Sequence, residues 1–187
     1  MHQYLMNLLD SGTKKILIIF IKTLGIYTIL SVFFYCYEGL VDQQGKYYSP
    51  FLDQYSIIKL ILNLLIYPLV WILKILGYTI SVHSPSVWVG ASGVTILTPC
   101  LGIQIMIGYV SLILGFPAAK KLLFLIAGLV LIHLLNIGRM LSILLTIEKH
   151  PSVIDISHDI FTYLSYAAIL VLYYVWVKNY SDIEVTG

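Results

Sequence analysis

The sequence predicts an all-α polytopic membrane protein, one membrane domain of about five transmembrane helices with a small β-hairpin before the third. Composition is the first ground: of 187 residues, 59% are hydrophobic and 11% charged. Soluble domains carry about 25% charged residues, so this much apolar surface must have lipid as its solvent. Mean hydropathy, at +0.92, agrees. The third ground is the length of the apolar runs. Stretches near 15–37, 57–78, 101–119 and 122–147 approach or exceed the roughly 20 residues that cross a bilayer. A shorter one, 160–177, ends in Tyr173, Tyr174 and Trp176, an aromatic belt closed by Lys178.

The first run has no small-residue cleavage site after it and reads as a retained span. The second carries Lys59, Asn63, Tyr67 and Lys74 roughly on one helical face. It can span or lie in the interface, and spanning is the expectation. Between the second and third runs, "TISVHSPSVWVGASGVTILTPC" is rich in β-branched residues. Val87 and Val89 precede a Gly-Ala-Ser-Gly turn, and Val94 and Ile96 follow it, which predicts a hairpin. Strand edges cannot sit in hydrocarbon, so the hairpin belongs in water or against protein and delivers Cys100 to the membrane boundary. With five spans, the N-terminus shares the side of Cys100. Lys14 and Lys15 then oppose Lys120, Lys121 and Lys178, and the basic-residue count is balanced between the two orientations.

A formal charge of +2 with no basic run excludes a nucleic-acid partner. Two cysteines allow one disulfide at most. His83, His133, His150 and His158 lack metal-ligand spacing, so neither metal nor cofactor is expected.

Three places can carry chemistry. Pro99 breaks the strand and sets Cys100 at the start of the third helix. There, free amide N–H groups and the helix dipole favour a thiolate, and Gly102 leaves its surroundings uncrowded. Cys36 has no such setting and reads as structural. In the fourth run, His133, Asn136 and Arg139 recur at three-residue intervals. This polar stripe, on a helix where a buried arginine costs about 2.5–3.5 kcal/mol, should face protein or a cavity. Finally, His158 opens the last run with Asp159 beside it. Up-and-down helices put Cys100, Arg139 and His158 at one membrane face. Such a trio suits acyl transfer: a cysteine nucleophile, a histidine acid/base and an arginine for the oxyanion.

"VWVGASGVTILTPCLGIQIM", "NIGRM" and "HDIFTY" together resemble the exosortase/archaeosortase family of membrane cysteine peptidases or transpeptidases. The resemblance covers residues 80–177, a catalytic core preceded by N-terminal spans over 1–79 and followed by a tail, 178–187. It implies that Cys100, Arg139 and His158 are catalytic and that Asn136 belongs to the arginine's motif. Cys100 is followed by Leu101 where the family usually has serine. The resemblance also implies a plasma-membrane enzyme with its hairpin and active site on the extracytoplasmic side. Its partners would be exported proteins with a C-terminal motif, membrane helix and basic tail, with a possible cell-envelope acceptor.

Two other readings stand beside this one. The chain could be a membrane scaffold or assembly subunit whose Arg139, Asn136 and His133 pair with a partner helix. A thiol–disulfide protein would need Cys36 and Cys100 together, which five single crossings place on opposite faces.

Overall fold

The computed structural model describes residues 11–43, 45–147 and 153–181, with side chains described over 12–43, 45–147 and 159–181. Helix α1 (Ser11–Val41) leads through a short α2 (Pro50–Gln54) into α3 (Ile57–Ile75). Strands β1 (Ile80–His83), β2 (Ser86–Val89) and β3 (Ser92–Thr95) follow, then a 3-10 turn, Thr98–Leu101. The chain closes with α4 (Ile103–Gly115), α5 (Lys121–Thr146) and α6 (Val153–Tyr180).

Among the described residues, four segments are long and apolar enough to cross a membrane: Gly12–Val41, Pro50–Ile75, Lys121–Thr146 and Asp159–Tyr180. The fifth apolar helix, α4, has 13 residues, about 20 Å of rise, and is shorter than the 101–119 run suggests. Both of its ends have local causes. Gly102 adopts φ 71° and breaks the helix from the 3-10 turn before it. Phe116 is extended, at φ −89° and ψ 135°, because Pro117 follows it.

Small residues set the helix contacts, as expected where lipid removes the hydrophobic drive between helices. Gly115 of α4 lies against Thr23 of α1, and Gly108 faces Tyr27. Gly128 of α5 lies against the Tyr109 ring of α4, whose hydroxyl donates to the Phe124 carbonyl. Gly138 meets Phe161 of α6. Near the other end of α6, Trp176 donates its ring N–H to the Ala119 carbonyl at 2.8 Å and packs among Phe116, Phe124 and Tyr173. These pairings make α1 and α4, α4 and α5, and α5 and α6 antiparallel neighbours.

This pairing corrects the expected topology. The close of α1 and the entry to α4 lie at the same end, where Tyr35 and Glu38 share a cleft with Leu97, Thr98, Pro99 and Leu101. Residues 42–102 therefore leave and return to one end, and α3 with its sheet makes no net crossing. The start of α1 falls instead at the opposite end, with Lys120, Lys121 and Lys178. Six of the chain's eleven basic residues, Lys14, Lys15, Lys22, Lys120, Lys121 and Lys178, gather there. The far end carries Glu38, Asp42, Asp53 and Asp159, with Lys46, Lys59 and Arg139 as its cations. The same topology places Cys36 at the Cys100 end, not on the opposite face, and both thiols are free.

The expected hairpin is a three-stranded antiparallel sheet in the order β1-β2-β3. The additional strand, Ile80–His83, pairs Val82 with Val87 across the Ser84–Pro85 turn. Val87 and Val89 are buried while Trp88 faces out and covers Gly93, the alternation of a half-covered strand. Val87 joins Leu65, Leu69 and Leu73 of α3, Leu101, and Met140 of α5 in one core. The sheet is thereby fastened against the helices beside Cys100.

Gly128→Val tests the α4–α5 contact. A branched side chain would collide with Tyr109, and overpacking of this kind costs about 1–3 kcal/mol. A lowered midpoint in detergent-induced unfolding is the expected readout.

Candidate active site

Cys100 is the third residue of the 3-10 turn, and its own N–H is satisfied by the Leu97 carbonyl at 2.8 Å. Its carbonyl is held from outside the turn. Asn136 Nδ2 donates to it at 2.9 Å and Arg139 Nη2 at 2.6 Å. Both lone pairs of that oxygen are thus engaged, one by a charge-assisted bond. Asn136 and Arg139 lie one turn apart on α5, 7% and 5% exposed. Two of the three polar residues in the sequence stripe therefore converge on the candidate nucleophile's main chain. Arg139 Nε, also buried, has no partner among the described residues. It borders a small cavity with Gly102, Asn136, Phe161, Thr162 and Ser165.

Gly102 has a different part from the one its small size suggests. A Cβ there would meet Asn136 no closer than 3.9 Å, so space is not the constraint. The constraint is φ 71°, a left-handed conformation that costs an ordinary L-residue about 1–2 kcal/mol. That conformation turns the chain from the 3-10 turn into α4 while the Cys100 carbonyl points at α5.

His133 leaves the group. Its Nε2 lies 3.2 Å from the Leu64 carbonyl of α3 and must be the donor, since a carbonyl only accepts. Pro68, inside α3, lacks the N–H that would otherwise reach residue 64 four positions earlier. His133 therefore satisfies the carbonyl that this proline orphans, a requirement of apolar surroundings.

The backbone of His158 lies in α6, one turn before Phe161 and Thr162, at the end of the bundle that holds Cys100. Its side chain falls outside the described residues. Asp159 follows it and is exposed.

Sequence reasoning missed a polar knot near the site. The Asp53 carboxylate, 6% exposed, pairs with Lys59 Nζ at 2.7 Å and accepts from Gln43 Nε2 at 3.0 Å and Tyr48 Oη at 2.9 Å. It ties the 42–56 connection to the start of α3. Lys59 on a polar helix face was the only trace of it in the sequence. Below this knot opens a cleft of about 830 Å³ that reaches Pro99 and Leu101, on either side of Cys100.

The family model for transmembrane exosortases matches residues 48–175, more than half of the chain. This chain belongs to the transmembrane exosortase family. The match begins ahead of the 80–177 region that carries the motif resemblance and takes in α2, α3 and, of the Asp53 knot, Tyr48, Asp53 and Lys59. Comparison with the curated proteins and with the solved structures finds no match.

Two predictions follow from this geometry. In this exosortase, Gly102→Ala should destabilise the protein by about 1–2 kcal/mol, and Gly102→Asn by less, because asparagine tolerates the left-handed region. Detergent unfolding of the two variants orders them. His133→Leu should cost about 0.5–2 kcal/mol, the range of interhelical hydrogen bonds in membranes. In a Pro68→Ala background that cost should vanish, because the restored N–H satisfies Leu64; the double-mutant cycle measures the difference.

Proposed function

We propose that this protein is a sortase-like cysteine peptidase or transpeptidase that cleaves C-terminal sorting signals of exported proteins at the outer face of the plasma membrane. The carrying observation is the convergence of Asn136 and Arg139 on the Cys100 carbonyl, in a chain of the exosortase family. A buried guanidinium and carboxamide aligning the residue that bears the thiol have a clear use in covalent catalysis. They also weigh against the scaffold reading, since Asn136, Arg139 and His133 each find one acceptor within the chain.

The chemistry proceeds by two acyl transfers. The Cys100 thiolate adds to the scissile carbonyl, forming a C–S bond and an oxyanion. One N–H of Arg139 is engaged with the Cys100 carbonyl, and its remaining donors supply the oxyanion contact. As the tetrahedral species collapses, the C–N bond breaks and His158 protonates the departing amine. The resulting thioester is resolved by water or by an amine acceptor, which restores the thiol as the histidine takes up and returns a proton.

Two physical features support an outward-facing site. The six lysines at the opposite end favour a cytoplasmic placing of that end by the positive-inside tendency, against Lys46, Lys59 and Arg139 at this one. Arg139 lies about 27 Å along α5 from Lys121 at 1.5 Å per residue, close to the roughly 30 Å of a hydrocarbon core. On this reading Cys100 sits at the outer boundary, level with a peptide bond just beyond a substrate's membrane anchor.

Labelling of intact cells tests this reading. In a Cys36→Ser background, a membrane-impermeant maleimide should modify Cys100 from outside. A hydroxylamine-labile adduct between the protein and an exported, tailed substrate should form and be lost in Cys100→Ala. Arg139→Ala should slow processing about 10²–10³-fold, the cost of one oxyanion donor. Modification of Cys100 solely from the cytoplasmic side, or processing indifferent to Cys100→Ala, sinks the proposal.

A further inference from the structure

The cleft of about 830 Å³ beside the 3-10 turn has no part in the acyl-transfer step just described. Its walls are the close of α1, the start of α3, the Ser84–Pro85 turn and the segment leading to Cys100. Its size falls within the roughly 300–1,000 Å³ of ligand-binding pockets. Cys100 does not itself line the cleft, but Pro99 and Leu101 do, so a chain leaving it meets the nucleophile's segment directly.

The lining is mixed, which suits a peptide better than an acyl chain. Asn63 and Ser84 present amide and hydroxyl groups, while Leu62, Ile96 and Leu97 are apolar. Charge is unequal. Glu38 and Asp53 line the cleft with the ammonium of Lys59, which is paired with Asp53, so the Glu38 carboxylate is the charge left over. The walls are also held in advance: Asp53, through Gln43, Tyr48 and Lys59, fixes the 42–56 connection that forms one side. A preformed wall spares a ligand the entropy of ordering it.

The cleft lies at the end of the bundle opposite the lysine cluster. A substrate anchored by a C-terminal membrane helix presents there the residues that precede its scissile bond. We propose that this cleft binds those acyl-side residues as an extended peptide and selects a basic side chain among them. The proposal rests on the peptidase reading and names its substrate preference: Glu38 supplies the charge, and Asn63 and Ser84 supply polar contacts. Because the acyl side stays attached in the thioester, the cleft also keeps the intermediate in place until an acceptor arrives.

The experiment uses the full-length protein in membranes and a library of tail-anchored reporters. Each reporter carries six randomised residues, an apolar helix of about 20 residues and an Arg-Lys tail. Released reporters are sequenced for wild type, Glu38→Gln and Glu38→Lys, with maleimide labelling of Cys100 as the control for folding. A parallel variant, Asn63→Asp, adds charge from a different helix. Wild type should enrich Lys or Arg at one randomised position by about two- to fivefold over Glu, the range of one partly exposed ion pair. Glu38→Gln should flatten the preference, Glu38→Lys should reverse it, and Asn63→Asp should sharpen it. Reporters processed with the same residue preference by all four proteins would overturn the cleft assignment and leave the peptidase reading intact. Absence of processing by a wild-type protein whose Cys100 labels normally would overturn both.

Discussion

The carbonyl oxygen of Cys100 is the point on which the arrangement of this exosortase-family protein turns. Gly102 interrupts the hydrogen-bond ladder between the 3-10 turn and α4, so no helical N–H takes up that oxygen. In an apolar setting an unsatisfied carbonyl is costly, and α5 supplies the remedy with Asn136 and Arg139. The same bonds explain how an arginine is tolerated 95% out of solvent, since part of its hydrogen-bonding capacity is met inside the chain. Position and burial are thus one fact: the contact that stabilises Arg139 also locates Cys100.

A second satisfaction problem joins α3 to the bundle. Pro68 frees the Leu64 carbonyl, and His133 reaches it from α5. Two polar residues of α5 therefore serve the nucleophile segment and a third serves the neighbouring helix. A stripe that looks uniform on a helical projection is divided between two partners, because α4 and α3 approach α5 at different levels. The sheet then packs its Val87 into the core shared by these helices, so the strand that leads toward Cys100 inherits their rigidity.

The return of residues 42–102 to the end they left gives the molecule its polarity. Six lysines collect at one end, and Glu38, the Asp53–Lys59 knot and the cleft lie at the other. Such a division suits a protein that sits across a membrane potential and a water boundary with different work at each face. It also brings the α1–α2 connection over the site, so residues far from Cys100 in sequence shape the space beside it. The family match begins at residue 48 and so takes in only the close of that connection before α2 and α3.

Much of this was legible in the amino-acid order. Membrane class, the apolar helices, the β-rich insertion and the placing of Cys100 beside Pro99 all follow from local hydropathy, β-branching and turn chemistry, which act over a few residues. The three-residue spacing of His133, Asn136 and Arg139 was equally plain, because helical periodicity is local too. Which partner each one takes was not, since that depends on where Gly102 and Pro68 leave carbonyls unsatisfied across a helix interface. Topology was decided by contacts between residues distant in sequence, such as Thr23 with Gly115 and Tyr27 with Gly108. These small-residue contacts make α1 antiparallel to α4 and turn the expected crossing of residues 42–102 into an excursion. Hydropathy measures whether a segment prefers lipid; only packing against its neighbours determines the end at which the chain emerges.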